Sequence, residues 1–288
     1  MKRLWNSHIH AEKEKYTRKT FAIQILVTLL ALFFAFPIFM IVNFAFKTKA
    51  ELYMDSPLAL PEKFQLDNFL NAVEKLHLGT AFLNTLLYTA VSVTVMALLS
   101  TITAWAIARG TRKIFKISFL YFIIGILVPS QALMLPIYQI WNSFGLINTR
   151  VGLILLYIST GMSFGIFLQT NFMSTIPIEL EEAARIDGCN VYQTFFKVVL
   201  PLMRSSMATL IIVQAFSIWN EFMLTSLMLS RENLRTVTLA LKLLFSDFAK
   251  DYSTAMAGII LSAIPIIILF LSMQSQFIKG MTVGAVKG

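Results

Sequence analysis

The sequence is poor in charged residues, cysteine and histidine. Asp, Glu, Lys and Arg together make up 14% of the 288 residues, whereas a soluble domain carries roughly 25%. Because 57% of the residues are hydrophobic, this composition indicates an integral membrane protein. The single cysteine, Cys189, excludes an internal disulfide and a cysteine-rich metal site. The three histidines are scattered along the chain, and we expect no metal site.

Other features are missing as well. The sequence lacks the Gly-rich Lys-Ser/Thr loop that binds nucleotide phosphates. No His/Asp/Glu cluster occurs in the long apolar segments, so we expect neither an enzyme nor a cofactor bound by this chain. The net charge of +9 does not indicate nucleic-acid binding, because the basic residues flank apolar segments, as they do in membrane proteins. No repeat or Gly/Ser linker divides the chain, so we predict one domain.

Six apolar segments account for most of the sequence. A membrane-spanning helix needs about 20 residues, and the first segment is too long for the core of a signal peptide. Two prolines, Pro129 and Pro136, fall in the third segment and predict a kink or break there. We predict an all-α membrane protein with an N-terminal tail over 1–20, a C-terminal tail over 279–288 that has little helical pattern, and six spans. The predicted spans cover 21–46, 79–108, 117–136, 151–171, 205–229 and 252–278.

Six spans place both termini on one side of the membrane. Lys and Arg are more frequent in the flanks on that side, as in the loop over 109–116, which contains no acid. Because basic residues accumulate in cytoplasmic loops, we predict that both termini and the loop between the fourth and fifth spans are cytoplasmic.

That loop contains a polar stretch over 177–201 with clear helix signals. Pro177 suits a first helical turn, and Gly188 suits the residue that follows a helix. Asn190 and Gln193 have the spacing of a capping box. We therefore predict two short helices, one over 177–187 that exposes Ala183 and Ala184, and one that ends before Pro201.

The same stretch resembles a known motif. Glu182-Ala183-Ala184, then Gly188 and Leu200-Pro201, match the EAA loop of ABC importer permeases (E-A-A-x3-G-x9-I-x-L-P), except that Val198 replaces isoleucine. The runs Trp219-Asn220-Glu221-Phe222, Gly280-Met281-Thr282 and Leu127-x-Pro129-x-Gln131 resemble the carbohydrate-uptake branch, of the maltose-permease type. The matches extend from about residue 80 to the end.

This resemblance implies a type I ABC importer permease bundle in a bacterial cytoplasmic membrane. Its partners would be a second permease subunit (a paralogue), two ATPase subunits that bind ATP and Mg, an extracellular solute-binding protein and membrane lipid, but no nucleic acid. The cytoplasmic coupling helix would contact the ATPase through Glu182, Ala183, Ala184, Asp187, Gly188, Leu200 and Pro201. The C-terminal tail would contact it through Gly284, Lys287 and Gly288.

Polar residues within the spans are candidates for a sugar pathway or a gate. These candidates are Gln214, Trp219, Asn220, Glu221, Asn84 and Gln131. Two interpretations stay open for them, namely contact with sugar hydroxyls and hydrogen bonds that fix the helices to one another.

The cargo itself has alternatives, which are glycerol-phosphate, a polyamine or an amino acid. Neutral sugar is preferred because the spans contain neither several acids nor several arginines. An ion-coupled secondary transporter would need ionisable groups near the membrane centre, and only Glu221 is available.

Overall fold

The computed structural model describes residues 18–246 and 251–285, and every regular element in these two ranges is a helix. This confirms the predicted all-α fold. In chain order the α-helices are α1 (Arg18–Ala45), α2 (Lys49–Met54), α3 (Asp67–Lys75), α4 (Leu78–Arg109), α5 (Lys113–Leu127), α6 (Met134–Ser143), α7 (Arg150–Met173), α8 (Glu179–Ile186), α9 (Val191–Thr194), α10 (Leu200–Leu202), α11 (Arg204–Trp219), α12 (Met223–Met228), α13 (Val237–Ser246) and α14 (Tyr252–Ala285).

Four of the described helices are long and apolar enough to cross a membrane by themselves. They are α1, α4, α7 and α14. Two further segments qualify only if a bent pair of helices counts as one span, which gives up to six spans. One bent pair is α5 with 130–143, at 95°, and the other is 191–202 with α11, at 69°.

The third span breaks where proline predicts a break. Helix α5 ends at Leu127, and a 3₁₀ turn over Ser130–Leu133 follows Pro129. Pro136 causes no break, because it is the third residue of α6, where a helix has no internal acceptor for the backbone N–H.

Three predicted boundaries differ from the structure. The third span does not end at 136, because α6 continues to Ser143. The fifth span is not continuous over 205–229, because α11 ends at Trp219 and α12 begins at Met223. The tail is not free of helix from Lys279, since α14 continues to Ala285. Its glycines cost about 1 kcal/mol each relative to alanine, which is too little to stop a helix that is already formed.

Helix α4 is the centre of the bundle. Its most extensive contact is with α7, and it also packs against α11 and α5. A Cβ atom on Gly165 of α7 would lie 3.0 Å from Ser100 Cβ of α4, so the two backbones approach closely. Helix α1 lies at the periphery, where it packs along α14 and exposes most of its apolar surface.

Short helices close the predicted outer end of the bundle, and a buried carboxylate ties them together. Asp251 Oδ2 lies 3.0 Å from both Lys49 Nζ and Lys75 Nζ. The carboxylate side chain is only 8% exposed. Burial by itself raises the pKa of Asp251, but hydrogen bonds from Lys75, Lys49 and Thr254 outweigh it and hold the pKa at about 2. This cluster joins α2 and α3 to the start of α14.

We expect this cluster to make the thermal stability of the protein depend on pH. The pKa of Asp251 is about 2 in the folded chain and about 3.9 when unfolded, so its stabilisation is complete above pH 4 and is lost as the pH falls towards 2. Thermal melting of the purified protein should show a lower midpoint for Asp251→Asn at pH 7. The difference from wild type should shrink between pH 4 and pH 2, and a constant difference would contradict this account.

Candidate functional site

The segment between α7 and α11 contains two capped helices. Gly188, at φ +84°, ends α8 in the left-handed conformation that glycine adopts readily. Its N–H donates to Arg185 O (3.0 Å), and the next N–H, of Cys189, donates to Ala184 O (2.9 Å). The first helix therefore begins two residues after Pro177 and stops where the sequence predicts.

The second helix has the predicted start and a different end. The Gln193 N–H donates to Asn190 Oδ1, the Asn190 N–H donates to Gln193 Oε1, and both distances are 2.9 Å. The prediction that this helix ends before Pro201 is wrong. The helical backbone continues without a break from α9 through a π turn over Phe195–Val199 into α10, which contains Pro201. In the π turn the Leu200 N–H donates five residues back, to Phe195 O. This wider turn makes room for the proline ring.

Helix α8 has one face turned into the molecule and one turned out. Glu181 is 2% exposed and Ala184 is 8% exposed, whereas Glu182, Ala183 and Ile186 are exposed. The prediction that both alanines form the outer face is therefore wrong for Ala184. Residues 181 and 184 are three apart and so share one side of a helix, which leaves Ala183 on the opposite side.

The outer side of this segment carries large apolar side chains among its charged ones. Ile186 is 87% exposed and lies one turn after Glu182. Three more large apolar side chains, Val191, Tyr192 and Phe196, are also exposed. We call Ile186, Val191, Tyr192 and Phe196 the outer apolar surface. Several large apolar side chains exposed within one short segment are typical of a binding surface for another protein.

The inner side of α8 is fixed to the end of α4 by a contact that the sequence analysis missed. Both oxygens of Glu181 accept hydrogen bonds, Oε1 from Arg109 Nε and Oε2 from Trp105 Nε1, each at 2.8 Å. Arg109 Nη2 also donates to Ile176 O at 2.8 Å. Sequence reasoning used Arg109 only as a topology signal. The i, i+4 spacing of Trp105 and Arg109 at the end of a span was the available clue.

Comparison with known proteins identifies the family. The model of the binding-protein-dependent transport system inner membrane component matches residues 96–283, which is more than half of the chain. The chain belongs to this family. It is therefore a multi-pass membrane permease of a transport system that depends on a binding protein, as the EAA motif predicts.

Full-length relatives agree with this membership. The probable starch degradation products transport system permease protein AmyC of Thermoanaerobacterium thermosulfurigenes is 34% identical, over 90% of this chain and 93% of its own. The melibiose/raffinose/stachyose import permease protein MelC of Bacillus subtilis is 30% identical, over 94% and 98%. The crystal structure of a bacterial ABC transporter that imports the acidic polysaccharide alginate contains a chain with the same fold. That chain has a TM-score of 0.82 and 24% identity, over 92% of this chain and 100% of that one.

The predicted coupling residues of this permease differ in their exposure. Glu182, Ala183, Asp187 and Gly188 are exposed on or just after α8. Ala184 is buried, and Leu200 packs on a core cluster that contains Met173, Phe195 and Val199. Pro201 is exposed in α10.

The pathway candidates of the permease are largely occupied by contacts within the chain. Asn84 is buried and donates to the carbonyls of Asn233 (2.9 Å) and Arg235 (3.2 Å). Trp219 Nε1 donates to Ser262 O at 3.2 Å, and the ring lines an apolar cavity of about 510 Å³. Gln214 is buried, and its Oε1 lies beside Gly161 of α7. Asn84 and Trp219 thus connect separate parts of the bundle, and Gln214 lies where α11 meets α7.

Glu221 lies at the break between α11 and α12. Its two oxygens accept hydrogen bonds from the backbone N–H groups of Leu224 and Thr225, both at 2.8 Å, and from Thr225 Oγ1 at 2.7 Å. Thr225 Oγ1 is in turn hydrogen-bonded to Tyr157 of α7 at 2.5 Å. The carboxylate thus caps α12 and connects it to α7, and Asn220 beside it is exposed.

Gln131 is placed differently from the other candidates. It is exposed in the break of the third span and lines a groove of about 620 Å³. Ser159, Thr160 and Ser163 of α7 line the same groove. The groove therefore has hydroxyl and amide groups beside an apolar wall.

The C-terminal candidates are only partly described. Gly284 lies in α14, whereas Lys287 and Gly288 lie outside the described residues. The expected contact of this tail with an ATPase stays a prediction.

Proposed function

We propose that the chain is the permease subunit of an importer for neutral sugars or oligosaccharides, driven by separate ATPase subunits. The observation that carries the proposal is α8, a capped helix that exposes Glu182, Ala183 and Ile186 within an EAA-type motif. An exposed apolar helix face can bind in a groove of a partner. The sequence has no nucleotide-binding loop of its own, so the energy of ATP has to enter through such a contact.

The mechanism requires a helix bundle with two states, of which one opens the pathway towards the binding protein. ATP binding would draw the two ATPase subunits together and move α8 with the groove that holds it. That movement would open the pathway towards the loaded binding protein, and hydrolysis would reset it. Each ligand shifts the balance only by its difference in affinity for the two states. The chain itself would make and break no bonds and would bind neither ATP nor Mg.

The partners and orientation belong to the same proposal. Two ATPase subunits would bind the side of the membrane that carries α8 and both termini, which is the cytoplasm of a bacterium. A second permease, a paralogue, would complete the pathway, and an extracellular binding protein would meet the opposite end.

Neutral sugar is favoured as cargo for two reasons. The named substrates of the relatives AmyC and MelC are starch degradation products and small oligosaccharides. The polar groups of the groove at the third span are Ser130, Gln131, Ser159, Thr160 and Ser163, all of them uncharged. Phosphorylated or cationic cargo would require basic or acidic groups there, and an ion-coupled transporter would require free carboxylates, whereas Glu221 is used as a helix cap.

The test is uptake by the complete transporter in liposomes. With ATP inside, wild type should accumulate labelled oligosaccharide but not glycerol-phosphate, spermidine or amino acids. Glu182→Lys should reduce uptake to background, because it reverses the charge on the contact face. The isosteric Glu182→Gln should retain part of the activity. Normal ATP-driven uptake by Glu182→Lys would contradict the role of α8, and uptake of a charged solute alone would contradict the choice of cargo.

A further inference from the structure

Glu181 is a buried carboxylate on a helix whose other two carboxylates are exposed. Its neighbours Glu179 and Glu182 are exposed, whereas the Glu181 side chain is 2% exposed and its partner Arg109 is 18% exposed. A buried carboxylate is unfavourable unless it is paired and hydrogen-bonded. Here both oxygens are satisfied, by Arg109 and by Trp105, so the geometry of the pair is fixed.

Three side chains define this contact. Arg109 is the last residue of α4, and Trp105 lies one turn earlier on the same side. Arg109 also holds Ile176 O, in the turn that leads from α7 to α8. A displacement of α8 relative to α4 would leave a charge without its partner in a buried place, which is strongly unfavourable.

The same end of α4 also reaches the second helix of the segment. The ring of Trp105 lies 5.3 Å from the ring of Phe195, between centroids. Phe195 begins the π turn, and together with Met173, Val199 and Met203 it belongs to one buried cluster. Trp105 therefore contacts both parts of the EAA-type segment, through its N–H and through its ring.

The covalent connections of α8 are less direct. Towards α11 the chain passes through the π turn and then bends by 69°. Towards α7 it passes through the turn over 174–178. Both paths also touch α4, through Arg109 at Ile176 O and through Trp105 at Phe195, whereas the contact at Glu181 joins α8 itself to α4.

We propose that Glu181, Arg109 and Trp105 form the link by which movement of α8 is passed to α4. They are positioning residues, which act through the helices that they join and do not touch ATPase or cargo. The inference rests on the proposed function, because it takes α8 as the element that the ATPase moves. Since α4 packs against α7, α11 and α5, a link to α4 distributes the movement over the bundle.

The experiment measures the coupling of transport to hydrolysis. The complete complex, with both permeases, the ATPases and the binding protein, is reconstituted with Glu181→Gln, and oligosaccharide uptake per ATP hydrolysed is recorded. The ATPase subunits should copurify as with wild type and should still hydrolyse ATP. Uptake per ATP should fall about tenfold, within the range of coupling between two sites.

Matched variants separate coupling from folding. Glu179→Gln makes the same change on an exposed residue of the same helix and should leave the ratio unchanged. The pair Arg109→Glu with Glu181→Arg should recover much of the ratio that either single change loses. If Glu181→Gln does not assemble, Trp105→Phe decides, because it keeps an aromatic ring beside Phe195 and removes the N–H donor along with part of the indole. It should lower uptake per ATP several-fold.

The outcomes are distinct. If assembled Glu181→Gln or Trp105→Phe complexes show the wild-type uptake per ATP hydrolysed, the link is overturned. It is also overturned if uptake falls only in proportion to the ATPase that fails to copurify. If Glu182→Lys also supports normal uptake, the role proposed for α8 fails as well. If Glu182→Lys is inactive while Glu181→Gln couples normally, only the link fails.

Discussion

Replacing Ile186 by Asp is expected to release the ATPase subunits from the complex and to abolish ATP-driven uptake. Ile186 is 87% exposed at the end of α8, and such a side chain contributes about 1.5–3 kcal/mol when a partner buries it. The new carboxylate would add the cost of an unpaired charge in an apolar contact. Since each 1.4 kcal/mol changes an affinity about tenfold, the affinity for the ATPase should fall at least about a hundredfold.

Copurification of the ATPase with the tagged permease measures this effect directly. Ile186→Leu keeps the apolar side chain and should retain both the ATPase and uptake. Thermal melting should show that Ile186→Asp does not unfold the chain, because the side chain has almost no contact within it. Retention of the ATPase by Ile186→Asp at wild-type strength would exclude the outer apolar surface as its binding site.

Glu221→Leu is expected to destabilise the bundle at the break in the fifth span. The substitution removes the acceptor of three hydrogen bonds, from the N–H groups of Leu224 and Thr225 and from the Thr225 hydroxyl. Leu224 and Thr225 are buried, and each unsatisfied buried donor costs about 1–3 kcal/mol. The melting midpoint should fall by at least about 5 °C, since three such donors cost about 3 kcal/mol or more and 1 kcal/mol corresponds to about 2–4 °C in chains of 150–250 residues.

The neighbouring residue provides the control for this change. Asn220→Leu alters an exposed side chain that donates only to Phe216 O, one turn back, and should shift the midpoint much less. The measurement also decides between the two interpretations of Glu221. If Glu221→Leu melts like wild type but loses uptake, the carboxylate acts in the pathway, and its function as a helix cap is secondary.

Local signals predicted much of the segment between α7 and α11. The Asn190–Gln193 capping box and the turn at Gly188 depend on residues three or four apart, so the sequence alone contains the information. Pro201 was misjudged because a π turn relieves the clash that a proline causes in an α-helix. No composition rule indicates such a turn in advance.

Contacts between distant residues could not be predicted in the same way. Glu179 and Glu182 share one side of α8 and Glu181 lies on another, and nothing in their spacing shows which side is buried. The answer depends on Arg109, which is 72 positions away from Glu181. The break after Trp219 was missed for a similar reason, because a carboxylate cap from Glu221 replaces the proline or glycine that usually marks a helix end.

The close approach of α4 and α7 has a practical consequence for spectroscopy of the working transporter. Because Ser100 fills the space beside Gly165 and this helix pair has the most extensive contact of the bundle, we expect α4 and α7 to move as one unit. Spin labels or dyes on the exposed positions Leu98 and Leu155 would therefore keep a constant separation through the transport cycle. The distance between these two labels would serve as an internal reference, against which the displacement of every other helix can be measured.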